Sequence, residues 1–277
     1  KIASHVSLVH RRDQFRGAYK TEQEMRDLVK NGKVSLFTPH LINEIVGDKK
    51  VTGVKLKNLH VLGKKPLLVW SIEAAKKVKA IDRVFVSTDH KKIAKVGRAH
   101  GAEIHKRPKK LATDSSTTYD TVRDFYFYLK KLNYIPDIFI VLEPTSPFRK
   151  KGLISQCIKK LVNKKADSIA TFIESRSHPF RIWKINAKNT PKPYFLKGAD
   201  DAWIPRQKLE KTYELDGSIY AFFVNKNFFK TKSLVFGKSL SYFLKRKDNF
   251  DLAGTEIDEK YDFKLAEIAL KESKKRF

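Results

Sequence analysis

The chain has 277 residues, enough for one large domain or two smaller ones built around a hydrophobic core. No run of residues approaches the roughly 20 apolar residues that a membrane helix requires, and no signal peptide is recognisable, so a membrane protein is not expected. A single cysteine, Cys157, excludes an internal disulfide framework and makes a cytoplasmic protein the expectation.

The chain is strongly basic, with 58 Lys and Arg against 30 Asp and Glu and a formal net charge of +28. Such an excess is typical of proteins that bind nucleic acid or membrane surfaces. The basic residues are mostly lysines spread along the chain in pairs such as Lys76-Lys77 and Lys159-Lys160, rather than concentrated in one arginine-containing stripe. We therefore favour a lysine-rich solvated surface, which would also attract anionic substrates.

The first 57 residues predict a strand at 6–10, a helix at 19–30 and three strands at 33–38, 41–46 and 51–56. Four cationic or ionisable residues follow the first strand: His10, Arg11, Arg12 and Arg16. Fixed cations after a strand suit a dianionic phosphate, because arginine binds phosphate through two parallel hydrogen bonds.

The rest of the chain alternates helix and strand patterns. Helices are predicted at 67–78, 91–100, 118–132, 152–162 and 260–274, and strands at 83–87, 102–105, 137–142, 168–173 and 217–224. Asp89 is the expected N-cap of the second helix. This alternation predicts an α/β fold with a doubly wound, mostly parallel sheet, in which ligands bind beyond the carboxyl ends of the strands.

Two motifs follow predicted strands of this region. One is Arg107-Pro108-Lys109-Lys110-Leu111-Ala112-Thr113-Asp114, and the other is Val141-Leu142-Glu143-Pro144-Thr145-Ser146-Pro147-Phe148-Arg149. Two prolines stiffen the second loop, which offers two hydroxyls and a guanidinium to a polar, phosphorylated ligand. Arg149 either contacts that ligand or holds the loop in place.

Together with Lys57-Asn58 and Gly63-Lys64-Lys65-Pro66-Leu67, these motifs resemble the acylneuraminate cytidylyltransferases, which make CMP-sialic acid and related activated sugars. The resemblance runs from about residue 57 to 277. It implies a nucleotide-diphospho-sugar transferase fold over residues 58–277 and a homodimer. In the implied reaction, the anomeric hydroxyl of a sialic-type sugar acid attacks the α-phosphate of CTP, and pyrophosphate leaves.

The resemblance also implies roles for individual residues. Lys57 and Asn58 would be catalytic, while Arg107, Asp114 and Thr118 would bind the nucleotide. The sugar would be bound by Glu143, Thr145, Ser146, Arg206, Gln207, Asp216 and Tyr220. Alternatively, Asp114 caps a turn and Thr118 caps the next helix, and the excursion that carries Trp203 and Tyr213 forms a dimer contact.

Three positions depart from the family pattern towards negative charge. Glu143 stands where the family usually has glutamine, Asp216 where it has asparagine, and Glu214 near a position that often carries arginine. A carboxylate accepts hydrogen bonds but cannot donate them, and it repels an anionic ligand. An altered sugar specificity or weakened binding is the expected consequence.

Glu256-Ile257-Asp258 resembles the family's Asp-Ile-Asp metal motif. Two carboxylates one residue apart on an extended segment point the same way, so Glu256 and Asp258 can reach one Mg²⁺ ion. Magnesium would neutralise the α-phosphate and the leaving pyrophosphate. The alternative is that these carboxylates complement the dipole of the helix that follows.

Residues 1–57 resemble a different class, the thioredoxin-reductase-like flavoproteins, which include ferredoxin–NADP reductases. His10, Arg11, Arg12 and Arg16 would then be a vestigial site for the 2′-phosphate of NADPH, on a foreign α/β fragment. No Gly-x-Gly-x-x-Gly precedes them and no Cys-x-x-Cys is present. The two resemblances meet at Lys57-Asn58, a pattern that recombination, misassembly or an engineered fusion would produce.

The phosphate-binding Ala-Arg-x-x-Ser-Lys-Gly loop that precedes Lys57-Asn58 in the family is absent here. We therefore expect impaired turnover. The sheet should also lack its first strand, which predicts impaired stability unless residues 51–56 fill that place. Two other functions are open: an NADPH-dependent oxidoreductase fragment, and a non-catalytic protein that binds polyanions. Salt-sensitive retention on DNA without preference for CTP would distinguish the latter.

Overall fold

The computed structural model describes residues 6–9, 34–37, 42–46, 53–113, 115–175, 177–195, 200–245 and 252–275. Ahead of residue 57 it contains four strands, β1 (Val6–Val9), β2 (Val34–Phe37), β3 (Ile42–Val46) and β4 (Gly53–Leu56). β1 pairs with β2 in parallel, and β3 pairs with β4 in antiparallel orientation. All four lie where strands are predicted, and the predicted helix at 19–30 lies outside the described residues.

From residue 57 onward the elements alternate as the sequence predicts. The helices are α1 (Leu67–Lys76), α2 (Lys91–Ala99), α3 (Thr118–Lys131), α4 (Leu153–Asn163), α5 (Lys226–Phe229) and α6 (Lys260–Lys275). The strands are β5 (Val61–Leu62), β6 (Lys65–Pro66), β7 (Phe85–Thr88), β8 (Glu103–Lys106), β9 (Ile138–Val141), β10 (Ser168–Glu174), β11 (Trp183–Ile185), β12 (Pro191–Pro193), β13 (Tyr213–Phe223) and β14 (Ser239–Phe243). Short 3₁₀ turns include Lys57–Leu59, Asp200–Trp203 and Arg206–Lys208.

The central sheet has four strands in the order β14-β10-β13-β9. β10 is parallel to β14, whereas β13 is antiparallel to both β10 and β9, so β13 alone runs against the other three. β7 and β8 form a separate parallel pair. The α/β fold with a mostly parallel sheet is therefore confirmed, and β13 begins four residues before the predicted strand at 217–224.

Helix α4 supplies one part of the core. Leu153, Cys157 and Leu161 recur at intervals of four residues and are buried against Ile169 of β10 and Ile219 of β13. Burial raises the pKa of the Cys157 thiol to about 12, so this cysteine behaves as a small apolar core residue.

An aromatic cluster fills the other side of the sheet. Tyr119 of α3, Phe139 of β9, Phe222 of β13 and Phe228 of α5 are buried together, and the rings of Phe222 and Phe228 stack 5.1 Å apart. Burial of these large aromatic side chains removes apolar surface from water and stabilises the fold.

A third cluster attaches helix α6 to the β5–β6 hairpin through Leu62, Leu67, Ile257 and Phe263. Beside it, the indole of Trp70 donates to the Leu62 carbonyl at 3.2 Å. The same indole meets the ring of Phe148 edge-on at 5.5 Å. Trp70 therefore lies between this hairpin and the loop that follows β9.

Two predicted helix caps are wrong by one residue. Helix α2 is capped by His90 rather than Asp89: His90 has extended backbone, and its Nδ1 accepts the N–H of Lys92 at 3.1 Å. Helix α3 is capped by Thr117 rather than Thr118, since the Thr117 hydroxyl oxygen accepts the N–H of Asp120 at 3.0 Å. An N-cap is the non-helical residue directly before the first helical residue. Because α2 begins at Lys91 and α3 at Thr118, the caps are His90 and Thr117.

Residues 53–56 do not fill the place of a missing first strand. Among the described strands, β4 pairs with β3 in a two-stranded sheet and not with the central sheet or with β7. Across the described ranges, no helix is both long and apolar enough to cross a membrane.

Candidate active site

The loop after β9 is held in place by Arg149. Its Nε donates to the carbonyl of Ser218 at 2.7 Å, its Nη2 to the carbonyl of Glu143 at 2.7 Å, and its Nη1 to the hydroxyl of Ser71 at 2.9 Å. Burial lowers the pKa of Arg149 to about 10, and the carboxylates of Asp216 and Glu143 oppose that shift. Of the two roles open to Arg149, these contacts support the one in which it holds the loop.

The same loop is fastened to two other segments. The buried hydroxyl of Ser146 donates to the carbonyl of Asp216 on β13 at 2.7 Å. The N–H of Ile257 donates to the carbonyl of Thr145 at 2.8 Å. These bonds place the stretch Glu256-Ile257-Asp258 directly beside the loop, although more than a hundred residues separate them in the chain.

Carboxylates converge around Gly217, whose φ is +68°. A Cβ atom at Gly217 would lie 2.7 Å from Oε2 of Glu143 and 3.4 Å from Oε1 of Glu256, so only glycine allows this approach. Burial raises the pKa of Glu143, as does the charge of Asp258. We call Glu143, Glu256 and Asp258 the acidic cluster.

Tyr220 adjoins the acidic cluster. Its pKa is raised, first by burial and then by the charges of Glu143 and Glu256. The phenol is therefore a hydrogen-bond donor over the whole physiological range. A donor beside carboxylates can hold a hydroxyl or carboxylate group of a substrate, the role that the sequence predicts for Tyr220.

Asp216 is turned inwards. Its side chain is buried, and its carboxylate accepts hydrogen bonds from the hydroxyl and from the N–H of Ser218. In this position Asp216 stabilises the turn around Gly217. A direct contact with sugar, as predicted from the sequence, would require this side chain to leave Ser218.

Within the described part of the chain, no group of three or more His, Cys, Asp or Glu side chains is arranged to hold a metal by itself. Mg²⁺ commonly takes only one or two protein carboxylates and completes its octahedron with water and substrate phosphates. The magnesium site expected at Glu256 and Asp258 therefore stays a prediction.

The carboxylate of Asp262, in the first turn of α6, accepts the N–H of Asp258 at 3.0 Å and that of Glu259 at 2.9 Å. These bonds fix the backbone that enters the helix. The alternative role for Glu256 and Asp258, complementing the dipole of α6, stays open beside metal binding.

Arg107 forms the opposite side of the site, at the carboxyl end of β7. Its Nε donates to the Ser87 hydroxyl at 3.3 Å, its Nη2 to the Ser87 carbonyl, and its backbone N–H to the carbonyl of Thr88 at 3.1 Å. Burial lowers the pKa of Arg107, and Asp89 opposes that shift. This guanidinium is a fixed cation with little rotamer freedom to lose on binding a ligand.

Arg107 and Glu143 line one cavity of about 730 Å³, within the size range of small-molecule sites. Asn58, Ser71, Asp89 and Thr118 line the same cavity. Four of the residues that the sequence assigns to catalysis or ligand binding, Asn58, Arg107, Thr118 and Glu143, therefore meet around a single space.

Other predicted residues lie elsewhere. Arg206 and Gln207 are exposed on a 3₁₀ turn and are not among the residues that line the cavity. The positions outside the described residues are Asp114, the side chain of Lys57, and His10, Arg11, Arg12 and Arg16.

The amino-acid sequence alone does not single out three residues that orient the site: Ser71, Ser87 and Ser218. Ser71 lies on the buried face of α1 among Leu67, Leu68 and Ile72. A hydroxyl within an apolar helical stripe is the feature that could have revealed it, because a buried polar group requires a partner.

Residues 50–252 match the family model described as cytidylyltransferase. The chain belongs to the cytidylyltransferase family. The match begins eight residues before the boundary predicted at residue 58. The resemblance of residues 1–57 to flavoprotein reductases gains no support from these comparisons.

Two relatives each match more than three quarters of this chain. The chain is 31% identical over 217 residues to N-acylneuraminate cytidylyltransferase A of Danio rerio, covering 78% of this chain and 47% of that protein. It is 27% identical over 224 residues to post-translational flagellin modification protein B of Campylobacter coli, covering 79% and 90% respectively. The chain thus spans about half the length of the Danio rerio relative and most of the Campylobacter coli one.

A solved structure supports the fold. The complex of CMP:2-keto-3-deoxy-manno-octonic acid synthetase with CTP superposes with a TM-score of 0.51 at 14% identity, covering 83% of this chain and 95% of that one. At 14% identity, this superposition shows that the two chains share a fold.

Proposed function

We propose that the chain transfers the cytidylyl group of CTP to a nonulosonic sugar acid of the sialic type, giving a CMP-sugar and pyrophosphate. The observation that carries the proposal is the cavity that runs along β7 and β9 and reaches past their carboxyl ends. Arg107 stands on one side of it, and Glu143 joins it to the acidic cluster on the other. Names of relatives such as CMP-N,N'-diacetyllegionaminic acid synthase of Legionella pneumophila, 35% identical over 127 residues, support the substrate class.

The chemistry of the site suits this transfer. The attacking anomeric hydroxyl and the α-phosphate must be brought into line, and most of the rate acceleration in such reactions comes from positioning and charge stabilisation. Arg107 offers a fixed cation to the nucleotide, and Asn58 offers an amide at the same cavity. When bound by Glu256 and Asp258, Mg²⁺ would neutralise phosphate charge.

Recognition of the sugar acid falls to the side of the site around β13. Tyr220 supplies a hydroxyl donor beside Glu143, and the exposed Arg206 would pair with the substrate carboxylate if the segment around the Arg206–Lys208 turn closes over the sugar. The Glu143 carboxylate would accept hydrogen bonds from sugar hydroxyls, whereas a glutamine at this position could also donate hydrogen bonds to them. We therefore expect a narrower sugar preference than glutamine would give.

A homodimer and a cytoplasmic location are part of the same proposal. Exposed aromatic side chains crowd the segment around β11, β12 and the following turns, with Trp203 77% exposed, Phe195 61% and Tyr194 57%. Large exposed apolar groups of this kind are typical of protein interfaces. Sedimentation of the wild-type chain and of Trp203→Ser tests the dimer, and a monomeric wild type would contradict it.

Pyrophosphate release tests the activity. The chain is incubated with CTP, Mg²⁺ and each of sialic, legionaminic and pseudaminic acid, and release is expected with one of these sugars. Arg107→Gln should raise the KM for CTP at least tenfold, because a charged hydrogen bond contributes about 1.5–3 kcal/mol, whereas the exposed Arg98→Gln serves as the matched control. A folded chain that releases pyrophosphate with none of the sugars would contradict the proposal.

A further inference from the structure

A series of hydrogen bonds connects helix α3 to the cavity. Oδ2 of Asp124 lies 3.2 Å from Nε2 of His105, and Nδ1 of the same ring lies 2.9 Å from the hydroxyl of Ser87. That hydroxyl oxygen accepts the Nε–H of Arg107 at 3.3 Å. Ser87 and Arg107 line the cavity, whereas His105 and Asp124 are not among its lining residues. We call Asp124, His105 and Ser87 the relay.

His105 is buried in the core beside α3. Only 2% of its surface is exposed, and its ring centroid lies 5.1 Å from that of Phe125 and 4.9 Å from that of Tyr128. A buried imidazole requires a hydrogen-bond partner at each ring nitrogen. Ser87 and Asp124 supply these two partners, and Ser87 carries the connection on to the wall of the cavity.

The donors and acceptors of the relay can be assigned one by one. A guanidinium only donates and a carboxylate only accepts, so the Ser87 oxygen accepts from Arg107 and Nε2 of His105 donates to Asp124. The hydroxyl hydrogen of Ser87 then goes to Nδ1 of His105. His105 is therefore neutral and carries its proton on Nε2, the tautomer that a carboxylate partner at Nε2 selects.

The charges around the ring favour the same state. Burial lowers the pKa of His105; Asp124 opposes that shift, and the charge of Arg107 adds to it. The ionisable groups beside the ring are Asp124 and Tyr128 on α3 and Arg107 past the end of β8. A second proton on the ring would turn Nδ1 from an acceptor into a donor and force the hydroxyl hydrogen of Ser87 away from it.

We propose that His105 and Asp124 are positioning residues for the nucleotide, which act through Ser87 on the guanidinium of Arg107. Asp124 selects the tautomer of His105, His105 orients the Ser87 hydroxyl, and that hydroxyl fixes Nε of Arg107. The Ser87 carbonyl accepts from Nη2 of the same guanidinium. Ser87 thus takes two of its five N–H groups, and the others keep a fixed direction. The consequence for CTP rests on the proposed function, whereas the state of the relay does not.

Two matched variants on α3 separate the relay from the helix that carries it. Asp124→Asn keeps the shape of the side chain, but an amide donates as well as accepts, so both tautomers of His105 become possible. Asp120→Asn makes the same change one helical turn earlier. The Asp120 carboxylate accepts the Thr117 hydroxyl at 2.7 Å, a bond that the asparagine oxygen also accepts. Each variant removes one negative charge.

Nitrogen-15 NMR of the full chain reports on the relay without any ligand, because a protonated ring nitrogen resonates far from an unprotonated one. The chain has 8 histidines, and His105 is the one whose signals disappear in His105→Gln. At pH 7.5 we expect the Nε2–H tautomer in the wild type and in Asp120→Asn, and a mixture of both tautomers in Asp124→Asn. Exchange of the Arg107 Nε–H with water should be several-fold faster in Asp124→Asn.

Calorimetric titration with CTP, without sugar, measures the effect on the nucleotide. We expect Asp124→Asn and Ser87→Ala each to raise the Kd for CTP about fivefold, the effect of one ordinary hydrogen bond, and Asp120→Asn to leave it unchanged. The double variant Asp124→Asn/Ser87→Ala should bind CTP no more weakly than Ser87→Ala alone, because residues in one hydrogen-bond network are not additive. A merely structural role of Asp124 would instead give additive losses.

Three results would overturn the proposal: an Nδ1–H tautomer or a doubly protonated ring in the wild type at pH 7.5, additive losses in the double variant, or equal CTP affinity of Asp124→Asn and Asp120→Asn. A wild type that does not bind CTP would contradict the proposed function. The exchange of the Arg107 Nε–H would then decide on the relay, and an unchanged rate in Asp124→Asn would overturn it. If Asp124→Asn does not fold, an unchanged rate in Ser87→Ala has the same meaning.

Discussion

Arg149 and Arg107 have similar surroundings in sequence, since each lies close to a proline, but they differ in what their guanidinium groups contact. Arg149 donates to carbonyls on two segments and to a hydroxyl on α1. Arg107 makes its contacts to Ser87 and Thr88 at the wall of the cavity. The sequence could not separate these roles, because the acceptors come from distant parts of the chain.

Replacing Arg149 by methionine should destabilise the protein. The change keeps much of the side-chain volume but leaves the carbonyls of Glu143 and Ser218 without their donor, which costs about 1–3 kcal/mol for buried groups. Urea denaturation measures the loss, and the exposed Arg206→Met should stay within about 0.5 kcal/mol of the wild type. An Arg149→Met protein as stable as the wild type would show that the loop is held by other contacts.

Gly217→Ala should cost more stability than Gly152→Ala. Both glycines have positive φ, +68° and +79°, so both alanines are strained. At Gly217 the new methyl group would lie 2.7 Å from the Glu143 carboxylate, whereas at Gly152 its nearest neighbour is Gln156 at 3.5 Å. We expect Gly217→Ala to lose more than about 1 kcal/mol and to release less pyrophosphate. Equal losses at both positions would mean that backbone strain alone matters.

At the scale of elements, the sequence located most helices and strands because apolar periodicity follows burial. It missed β14, Ser239–Phe243, which has no fully buried residue, and β11, Trp183–Ile185, all of whose residues are exposed. Such strands lack the alternation that identifies a half-buried strand. The sequence identified Glu143, Glu256 and Asp258 as candidates but did not predict that they lie together. The hydrogen bond between Ile257 and Thr145 that brings them together is a tertiary contact.

His105 on β8 should make stability fall in mild acid. Its ring bonds Ser87 at 2.9 Å and Asp124 at 3.2 Å, and burial lowers its pKa while Asp124 partly opposes the shift. The unfolded chain therefore takes up the proton first, and stability is lost as pH falls below the ordinary histidine value of about 6.5.

Urea unfolding between pH 5 and 7.5 tests this expectation. His105→Gln, which keeps polar atoms but does not titrate, should flatten the dependence of the unfolding free energy on pH. The exposed His100→Gln should leave that dependence as it is. A steep dependence that persists in His105→Gln would assign the acid sensitivity to other groups.

Asp258, just ahead of α6, tests metal binding. Asp258→Asn should raise the Mg²⁺ concentration needed for half-maximal pyrophosphate release, because it removes one of the two candidate ligands. The unfolding free energy should change little, because Asp258 is exposed and its backbone N–H still donates to the Asp262 carboxylate. The neighbouring Glu259→Gln is the control, and an unchanged Mg²⁺ dependence in Asp258→Asn would place the metal elsewhere.

At the scale of the whole molecule, the net charge of +28 acts on every anionic substrate that approaches. A field of this sign raises the association rate of CTP, and salt screens it over about 8 Å at physiological ionic strength. Stopped-flow binding of a fluorescent CTP analogue should therefore slow several-fold between 50 and 300 mM KCl. A rate independent of salt would show that the lysines have no influence on encounter.

The tryptophans provide an intrinsic fluorescence signal. The chain has three tryptophans, and Trp183 and Trp203 are 37% and 77% exposed. Trp70 instead lies against Phe148 of the loop after β9 and donates to Leu62. Quenchers such as iodide reach the two exposed indoles first, so the emission that survives quenching reports on Trp70. A shift in that residual emission on adding CTP or sugar acid would follow the loop directly, without any attached dye.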